Sequence, residues 1–370
     1  MSRKLRVAYV AHSLRSDWNN GNAHFLRGLL RAMGTLGHDV VAFEREHGWS
    51  IDNLRMETEG EQSLRQFATA YAELHVELYG ACNSVEPKFW REALRTFDVV
   101  ILHEWNPPEL SYLLIDLREE LGFRLLFHDT HHRASSSPEQ IRLFGTNRFD
   151  GVIAFGDALS RIYRGRFGMR RVWTLHEAAD TTVFQSLARD KKQDVVWIGN
   201  WGDEERSSEL REFLLKPAKA LPARRFSIHG VRYPDGALKE LNDAGVAYGG
   251  YLANLRAPEA YAESRLTVHV PRQQYAGAIT GIPTIRVFEA LACGIPLISA
   301  PWEDTEQLFR GGDFLYAANG GEMQERIEWL LTHSQAAKEQ AQRGLETIMA
   351  RHTCRHRAEE LTSICEEVLA

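Results

Sequence analysis

The sequence predicts two doubly wound α/β domains in one chain, and three observations carry that expectation. The chain opens with a strand, a polar loop, a helix and a second strand. Short apolar runs then alternate with helical stretches along most of its length, as they do in a parallel sheet covered by helices. The alternation loosens once, in a polar segment near residues 179–194, and then begins again. With 370 residues there is enough chain for two separate cores.

Residues 5–11 read as a buried parallel strand, and the loop 16–22 after them is rich in Gly and Asn. Residues 24–36 place Phe25, Leu26, Leu29, Leu30 and Met33 at three- and four-residue steps, which predicts an amphipathic helix. Gly37 suits its C-terminal cap, and 40–43 is the next strand. Residues 51–81 read as mostly helix with a break near Gly60. Strands follow at 99–103, 124–127, 151–155 and 171–175, with helices at 108–120 and 157–167. In the second series the expected strands are 195–198, 226–229, 247–248, 266–270 and 296–299. Its helices are expected at 204–215, 236–241, 257–263 and 284–293, and the chain from Gly321 onward reads as helical. The expected division is therefore 1–185, 186–345 and a terminal helix at 346–370.

Composition narrows the function. The chain is 44% hydrophobic and 25% charged with a formal net charge of −6. Nucleic-acid binders that work through bulk electrostatics are usually basic, so no nucleic-acid partner is expected. The four cysteines, Cys82, Cys293, Cys354 and Cys365, form neither a C-x-x-C pair nor a zinc-finger spacing, and read as reduced thiols. The apolar run at the N-terminus is short and broken by Arg6, unlike a signal peptide. No apolar run approaches the roughly 20 residues that span a bilayer. A cytoplasmic protein is expected. Arg27 and Arg31 lie four residues apart, with Arg3, Lys4, Arg6 and Arg15 nearby in sequence. Such a patch suits an anionic lipid surface, but a solvated helix face is the simpler reading.

The most informative stretch is 280–299. Gly281 and Pro283 make a turn, Thr284 is placed to cap the helix that follows, and Gly294 with Pro296 ends it. The start of that helix offers free backbone N–H groups, a site for a diphosphate. Glu289 lies one and a half turns in, and its two carboxylate oxygens match a ribose diol. Arg286 and Glu289 also stand at i,i+3 spacing, which suits an ion pair.

Two further clusters fall at expected strand ends, where doubly wound folds bind ligands. His128, Asp129, His131 and His132 follow the strand 124–127, but they lack the spacing of a metal motif, and no metal is expected. The loop 17–22 offers Trp18 as a stacking surface and Asn19 and Asn22 as hydrogen-bonding groups, with His12 at the strand end before it. It is not a G-x-G-x-x-G element, so no nicotinamide cofactor is indicated.

The run 288–298, Phe-Glu-Ala-Leu-Ala-Cys-Gly-Ile-Pro-Leu-Ile, resembles the donor-site signature of retaining, group 1 GT-B glycosyltransferases, the glycogen-synthase-like superfamily. Residues 152–163 resemble an edge of the family's first domain, and 37–40 the turn after its first helix. Residues 351–358 resemble the C-terminal helix of the bacterial spore-maturation-type branch. Together the likeness covers nearly the whole chain. It implies a GT-B fold, two doubly wound Rossmann-like domains facing a central cleft, with the last helix returning to the first domain. It implies that Glu289 binds the donor ribose and that Gly281, Ile282, Pro283 and Thr284 line the diphosphate and sugar. Gly199 and Asn200 would approach the phosphates, Tyr251 and Leu252 the nucleobase, and Arg272 would neutralise phosphate charge. His128, or else His131, would face the donor sugar as a catalytic histidine. His12, Trp18, Asn19 and Asn22 remain for the acceptor. One departure stands out: the family often carries a second glutamate eight positions before the ribose-binding one, and this chain has Gly281 there.

The implied reaction moves a sugar from a nucleotide diphosphate sugar to an acceptor hydroxyl or amine, with no metal and no cofactor beyond the donor. The departing phosphate can take the acceptor proton on a retaining path. The acceptor, whether glycan, lipid, protein or small molecule, is not legible, and a membrane surface is possible without being indicated. Two rival readings share the fold: a nucleotide-sugar epimerase, and a non-catalytic nucleotide-sugar-binding protein.

Overall fold

The structure is a computed structural model that describes residues 3–202 and 206–370. The chain divides into two units, 1–177 with 354–370, and 178–353.

The first unit begins with β1 (Arg6–Val10), α1 (Ala23–Thr35) and β2 (Asp39–Arg45). Two helices, α2 (Trp49–Met56) and α3 (Gly60–Ala70), lead to β3 (His75–Tyr79). Then come α4 (Pro87–Leu94), β4 (Val99–His103), α5 (Pro108–Leu121) and β5 (Arg124–Asp129). Two short helices, α6 (Arg133–Ser136) and α7 (Pro138–Arg142), precede β6 (Gly151–Ala154), α8 (Asp157–Arg166) and β7 (Val172–Thr174). All seven strands pair in parallel in the order β3-β2-β1-β4-β5-β6-β7. The order reverses between β1 and β4, so the carboxyl ends of these two strands flank the crevice of the fold.

β3 departs from the expected helix over 51–81. Its sequence, His-Val-Glu-Leu-Tyr, is largely solvent-facing and lies at the sheet edge, where charged side chains discourage further pairing and hide the strand pattern. α1 is buried nearly all round because the terminal helix (Cys354–Leu369) covers its outer side. Leu361 and Val368 are buried in that helix, and each contributes about 1.5–3 kcal/mol over an exposed position. His38 ties the two layers: its Nδ1 accepts from Leu5 N at 3.2 Å and its Nε2 meets Thr362 Oγ1 at 2.9 Å.

The second unit contains β8 (Gln193–Ile198), α9 (Ser207–Leu210), a π turn (Arg211–Leu215) and α10 (Lys216–Ala220). The expected helix start at residue 204 lies outside the described residues. Pro217 gives the π turn a physical reason, since its ring has no N–H and crowds the preceding turn. β9 (Phe226–His229), α11 (Asp235–Asp243), β10 (Val246–Tyr248), α12 (Ala257–Ala262) and β11 (Ser264–His269) follow. α13 (Ile285–Ala292), β12 (Leu297–Ser299), β13 (Leu315–Tyr316), α14 (Gly320–Thr332) and α15 (Ser334–Arg351) complete it. The parallel sheet runs β10-β9-β8-β11-β12-β13. Its reversal lies between β8 and β11. Val195, Trp197, Ile228, Leu266 and Val268 pack one sheet face against Leu210, Phe213, Met323 and Ile327.

Candidate functional site

In the first unit the crevice is edged by the ends of β1 and β4, and it gathers aromatic and charged side chains. Trp105, just past β4, is 42% exposed. Its ring lies 6.4 Å from His12, past β1, and 5.0 Å from His131, past β5. The Arg133 guanidinium sits over the same indole at 3.9 Å from the ring centre. Arg133 is held in turn by Glu104: Nε donates to Glu104 Oε2 at 3.1 Å, Nη2 donates to the same oxygen, and Nη2 reaches the Glu104 carbonyl at 2.6 Å. Glu104 is fully buried. Burial and the nearby Asp129 push its carboxyl up, against the pull of Arg133. Asp129 is also raised by burial, although it accepts from Tyr163 Oη at 2.6 Å and from His131 N at 2.9 Å.

The two expected catalytic histidines occupy different layers. His128 lies within β5, buried, with Nδ1 against Tyr9 Oη at 2.8 Å and Nε2 without a hydrogen-bond partner among the described residues. Burial lowers it to about 3, so it is neutral throughout the physiological range. His131 is half-buried between Trp105 and His132. His12 is lowered to about 4 by burial and by Arg133. Among the described residues, no three His, Cys, Asp or Glu side chains form a metal-ligand group.

The loop 17–22 is more tightly built than its sequence suggests. Trp18 is buried, with its indole N–H on Glu57 Oε1 at 2.8 Å and Trp49 against its ring at 4.9 Å. The exposed indole of this corner belongs to Trp49. Asn19 takes a left-handed φ of 51°, and Asn22 occupies the N-cap position of α1 without a side-chain cap bond. Arg27 corrects the expected solvated helix face. It is buried, donates from Nε to Leu14 O at 2.5 Å, pairs with Asp17 at 3.3 Å and lies over Phe67. Arg31 covers Tyr71, Arg15 pairs with Glu44, Arg3 with Asp98 and Lys4 with Asp39. Arg15, Arg27 and Arg31 are thus packed into the unit, whereas Arg3 and Lys4 make exposed surface pairs. Among the described residues no helix is long and apolar enough to cross a membrane.

In the second unit, Gly199 and Asn200 follow β8, and Arg272 lies past β11, so all three flank the reversal point. Asn200 Oδ1 accepts from Val231 N at 3.0 Å, and the Gly199 carbonyl accepts from Tyr233 Oη at 2.9 Å. A Cβ on Gly230 would lie 1.9 Å from the Gly199 carbonyl oxygen, which explains the glycine at the joint of these loops. Arg206, at the start of α9, has no signal in the sequence that separates it from the other polar positions of the expected helix 204–215. Its guanidinium lies beside Trp197, and Arg272 and Arg286 are near enough to depress its pKa; burial is the larger cause and brings it to about 10. Three cations thus gather at this strand edge. Tyr251 and Leu252 are half-buried, and Leu252 lines a cavity of about 340 Å³ with His229, Tyr248, Gly249 and Arg256.

Thr284 occupies the N-cap position of α13, but its side chain makes no cap bond. Arg286 and Glu289 do form the ion pair that their spacing allows, at 2.5 Å. Glu289 is fully buried and also accepts from Tyr261 Oη at 3.3 Å. Gly281, Ile282 and Pro283 are buried. Gly281 has a φ of 93°, and its N–H donates to Glu303 O at 2.8 Å.

Two parallel-sheet Rossmann-like α/β units make up the GT-B fold. Residues 206–363 match the family described as "Glycosyl transferase-like". Anabaena HepE in complex with UDP and glucose has a similar structure, with a TM-score of 0.69 at 13% identity over 97% of this chain and 98% of that one. A glycosyltransferase from Rickettsia africae gives 0.66 at 11% identity, covering 99% of both chains. Staphylococcus aureus TarM, solved with UDP and α-GlcNAc-glycerol among its ligands, gives 0.68 at 10% identity, covering 98% and 99%. No curated protein matches the sequence.

Proposed function

We propose that the chain transfers a sugar from a nucleotide diphosphate sugar to an acceptor hydroxyl or amine, with retention and without a metal, and that it stands nearest the spore-maturation-type branch. The observation that carries this reading is the gathering of Arg206, Arg272 and Arg286 at the strand edge before α13. A cation buried at a cost in its own solvation, with two others near it, favours a polyanion, and a helix N-terminus adds to that field. Such a site stabilises the charge that builds on a departing diphosphate.

In this reading Arg206 and Arg272 hold the diphosphate, with Gly199, Asn200 and the turn from Gly281 to Thr284 beside it. Arg286 exchanges Glu289 for phosphate, which frees the Glu289 carboxylate for the ribose diol. Tyr251 and Leu252 border the base. UDP-glucose is the first donor to try, because HepE was also solved with UDP-glucose. His131 offers its imidazole to a sugar hydroxyl, and the buried His128 anchors Tyr9. The acceptor is received in the first unit by His12, Asn19 and Asn22, with Trp105 as the stacking surface in place of the buried Trp18. On the retaining path the departing phosphate takes the acceptor proton.

Thermal unfolding with UDP, GDP, ADP, TDP and their sugars, on the native chain and on Glu289→Ala, tests the reading. A ligand at about 100 times its Kd stabilises by roughly 2.7 kcal/mol. Stabilisation by one nucleotide that disappears in Glu289→Ala supports the donor site and identifies the base. No shift with any nucleotide refutes it.

A further inference from the structure

We propose that the crevice of the first unit is an anion site, in which Arg45 and Arg133, on either side of His12, receive a phosphate group carried by the acceptor. The assignment to the acceptor rests on the reading under the proposed function. The anion site itself rests on the first unit alone.

β1 lies between β2 and β4 in the sheet. Val10 is opposite Phe43, and the ladder runs on past β1, where Ala11 N donates to Phe43 O at 2.8 Å. Continuing that register by two residues sets His12 beside Arg45, the last residue of β2, with both side chains on one face. From the β4 side come Trp105, 6.4 Å from the His12 ring, and Arg133 over the indole. Burial depresses the His12 imidazole most, then Arg133, and Arg45 adds to the fall, so both cations lie near its ring. Arg45 is also opposite Tyr79 on β3, where it opposes the larger rise that burial imposes on the Tyr79 hydroxyl.

These two cations have donors left to give. The Arg45 side chain makes no hydrogen bond or ion pair among the described residues. Its backbone is held, because Arg15 Nη2 donates to its carbonyl at 3.0 Å. The neighbouring acid, Glu44, is engaged elsewhere: it accepts from Leu14 N and Arg15 N and pairs with the Arg15 side chain. Arg133 gives Nε and Nη2 to Glu104 and leaves Nη1 unbonded among the described residues. Tyr79 Oη is buried and has no hydrogen-bond partner among the described residues. Two guanidinium groups at one recess are answered best by an oxyanion, whose several oxygens accept from both at once. The exposed face of Trp105 beside them suits the carbon skeleton of a small acceptor. A bilayer is a poorer match. The chain's net charge is −6, and the surface cations Arg3 and Lys4 are already paired with Asp98 and Asp39.

Isothermal titration of the full chain with inorganic phosphate, glucose 6-phosphate and glucose tests the site, on the native protein, Arg45→Gln and Arg45→Lys. The nucleotide that binds in the screen above is kept at saturation, so that phosphate does not enter the donor site. If none binds, the donor reading has failed, and the same titrations without nucleotide still decide the anion site. Both phosphates should bind, and glucose 6-phosphate should bind at least about 10-fold more tightly than glucose. Arg45→Gln should weaken both phosphates about 10- to 100-fold, the weight of a hydrogen bond to a charged group, and Arg45→Lys should lose less. Nucleotide binding should stay within about twofold in both variants. Phosphate affinity unchanged in Arg45→Gln, or no phosphate binding to the native chain, would overturn the proposal. So would binding to phosphatidic acid vesicles without binding of the soluble phosphates. Transfer from the nucleotide sugar should favour phosphorylated sugars over their neutral parents. Phosphate binding with no such preference would make this an effector site and overturn its assignment to the acceptor.

Discussion

Replacing Arg133 by alanine isolates the buried ion pair that supports Trp105. Glu104 is fully buried and the Arg133 side chain is only 14% exposed, so solvent screens this pair little. Removing the cation leaves a buried carboxylate that burial, first, and then Asp129 push up, with only the backbone N–H of Thr130 pulling the other way. Breaking a buried pair from one side costs about 3–5 kcal/mol. For a unit of this size that lowers the unfolding midpoint by about 6–20 °C, at about 2–4 °C per kcal/mol. The loss depends on pH in a defined direction. A carboxyl whose folded pKa is raised above its unfolded value near 4.3 weakens the fold as pH rises through that window. The deficit of Arg133→Ala against the native chain should therefore be larger at pH 8 than at pH 5. Differential scanning calorimetry at the two pH values measures it. The second substitution Glu104→Gln, added to Arg133→Ala, should recover most of the loss at pH 8. A midpoint within about 2 °C of the native one at both pH values would refute the argument, as would a deficit larger at pH 5.

Two more outcomes follow from the same physical reasoning. His128 and His269 are buried and lowered to about 3, and the unfolded chain titrates near 6.5. A depressed base gives stability that is complete above about pH 6.5 and is lost as pH falls toward 3. At pH 5 the gap of about 1.5 units costs about 2 kcal/mol for each histidine. His269→Asn should remove that much of the difference between pH 7 and pH 5, read from urea midpoints; an unchanged difference would contradict it. Gly281→Ala should cost about 1–3 kcal/mol from its left-handed φ alone, with the Thr305 contact adding to it. The double variant Gly281→Ala, Thr305→Ala should recover only the contact's share in the same assay, because the φ is unaltered.

The sequence was most readable where a central strand is buried on both faces. Runs such as Val99–His103 and Phe226–His229 have no solvent-facing position to interrupt them, and the structure places these strands over the expected residues. The helix from 285 to 292 was legible from its ends, Thr284 before it and Gly294 at φ 63° after it. β3 was not legible, because at a sheet edge its polar residues lose the period that marks a strand. Nor was β13, whose two residues are too short for any period.

Strand ends in the sequence put His12, His131, Asn200 and Arg272 just past β1, β5, β8 and β11, and the structure has them there. Their surroundings had to come from tertiary structure. Periodicity marks Arg27 as one helical residue among others; only the packing of α3 and the loop 14–17 makes it a buried cation. Trp18 and Trp105 look alike as loop tryptophans, yet Glu57, 39 residues away, fixes the first. Arg133, 28 positions along, lies over the second. Arg45 stands 33 positions after His12, and two adjacent strands bring them together. By itself the sequence determined the two-sheet plan, because burial of alternate elements leaves a local pattern in the chain. The company each site residue keeps was decided by tertiary structure, because contacts between distant segments leave no periodic trace in either one.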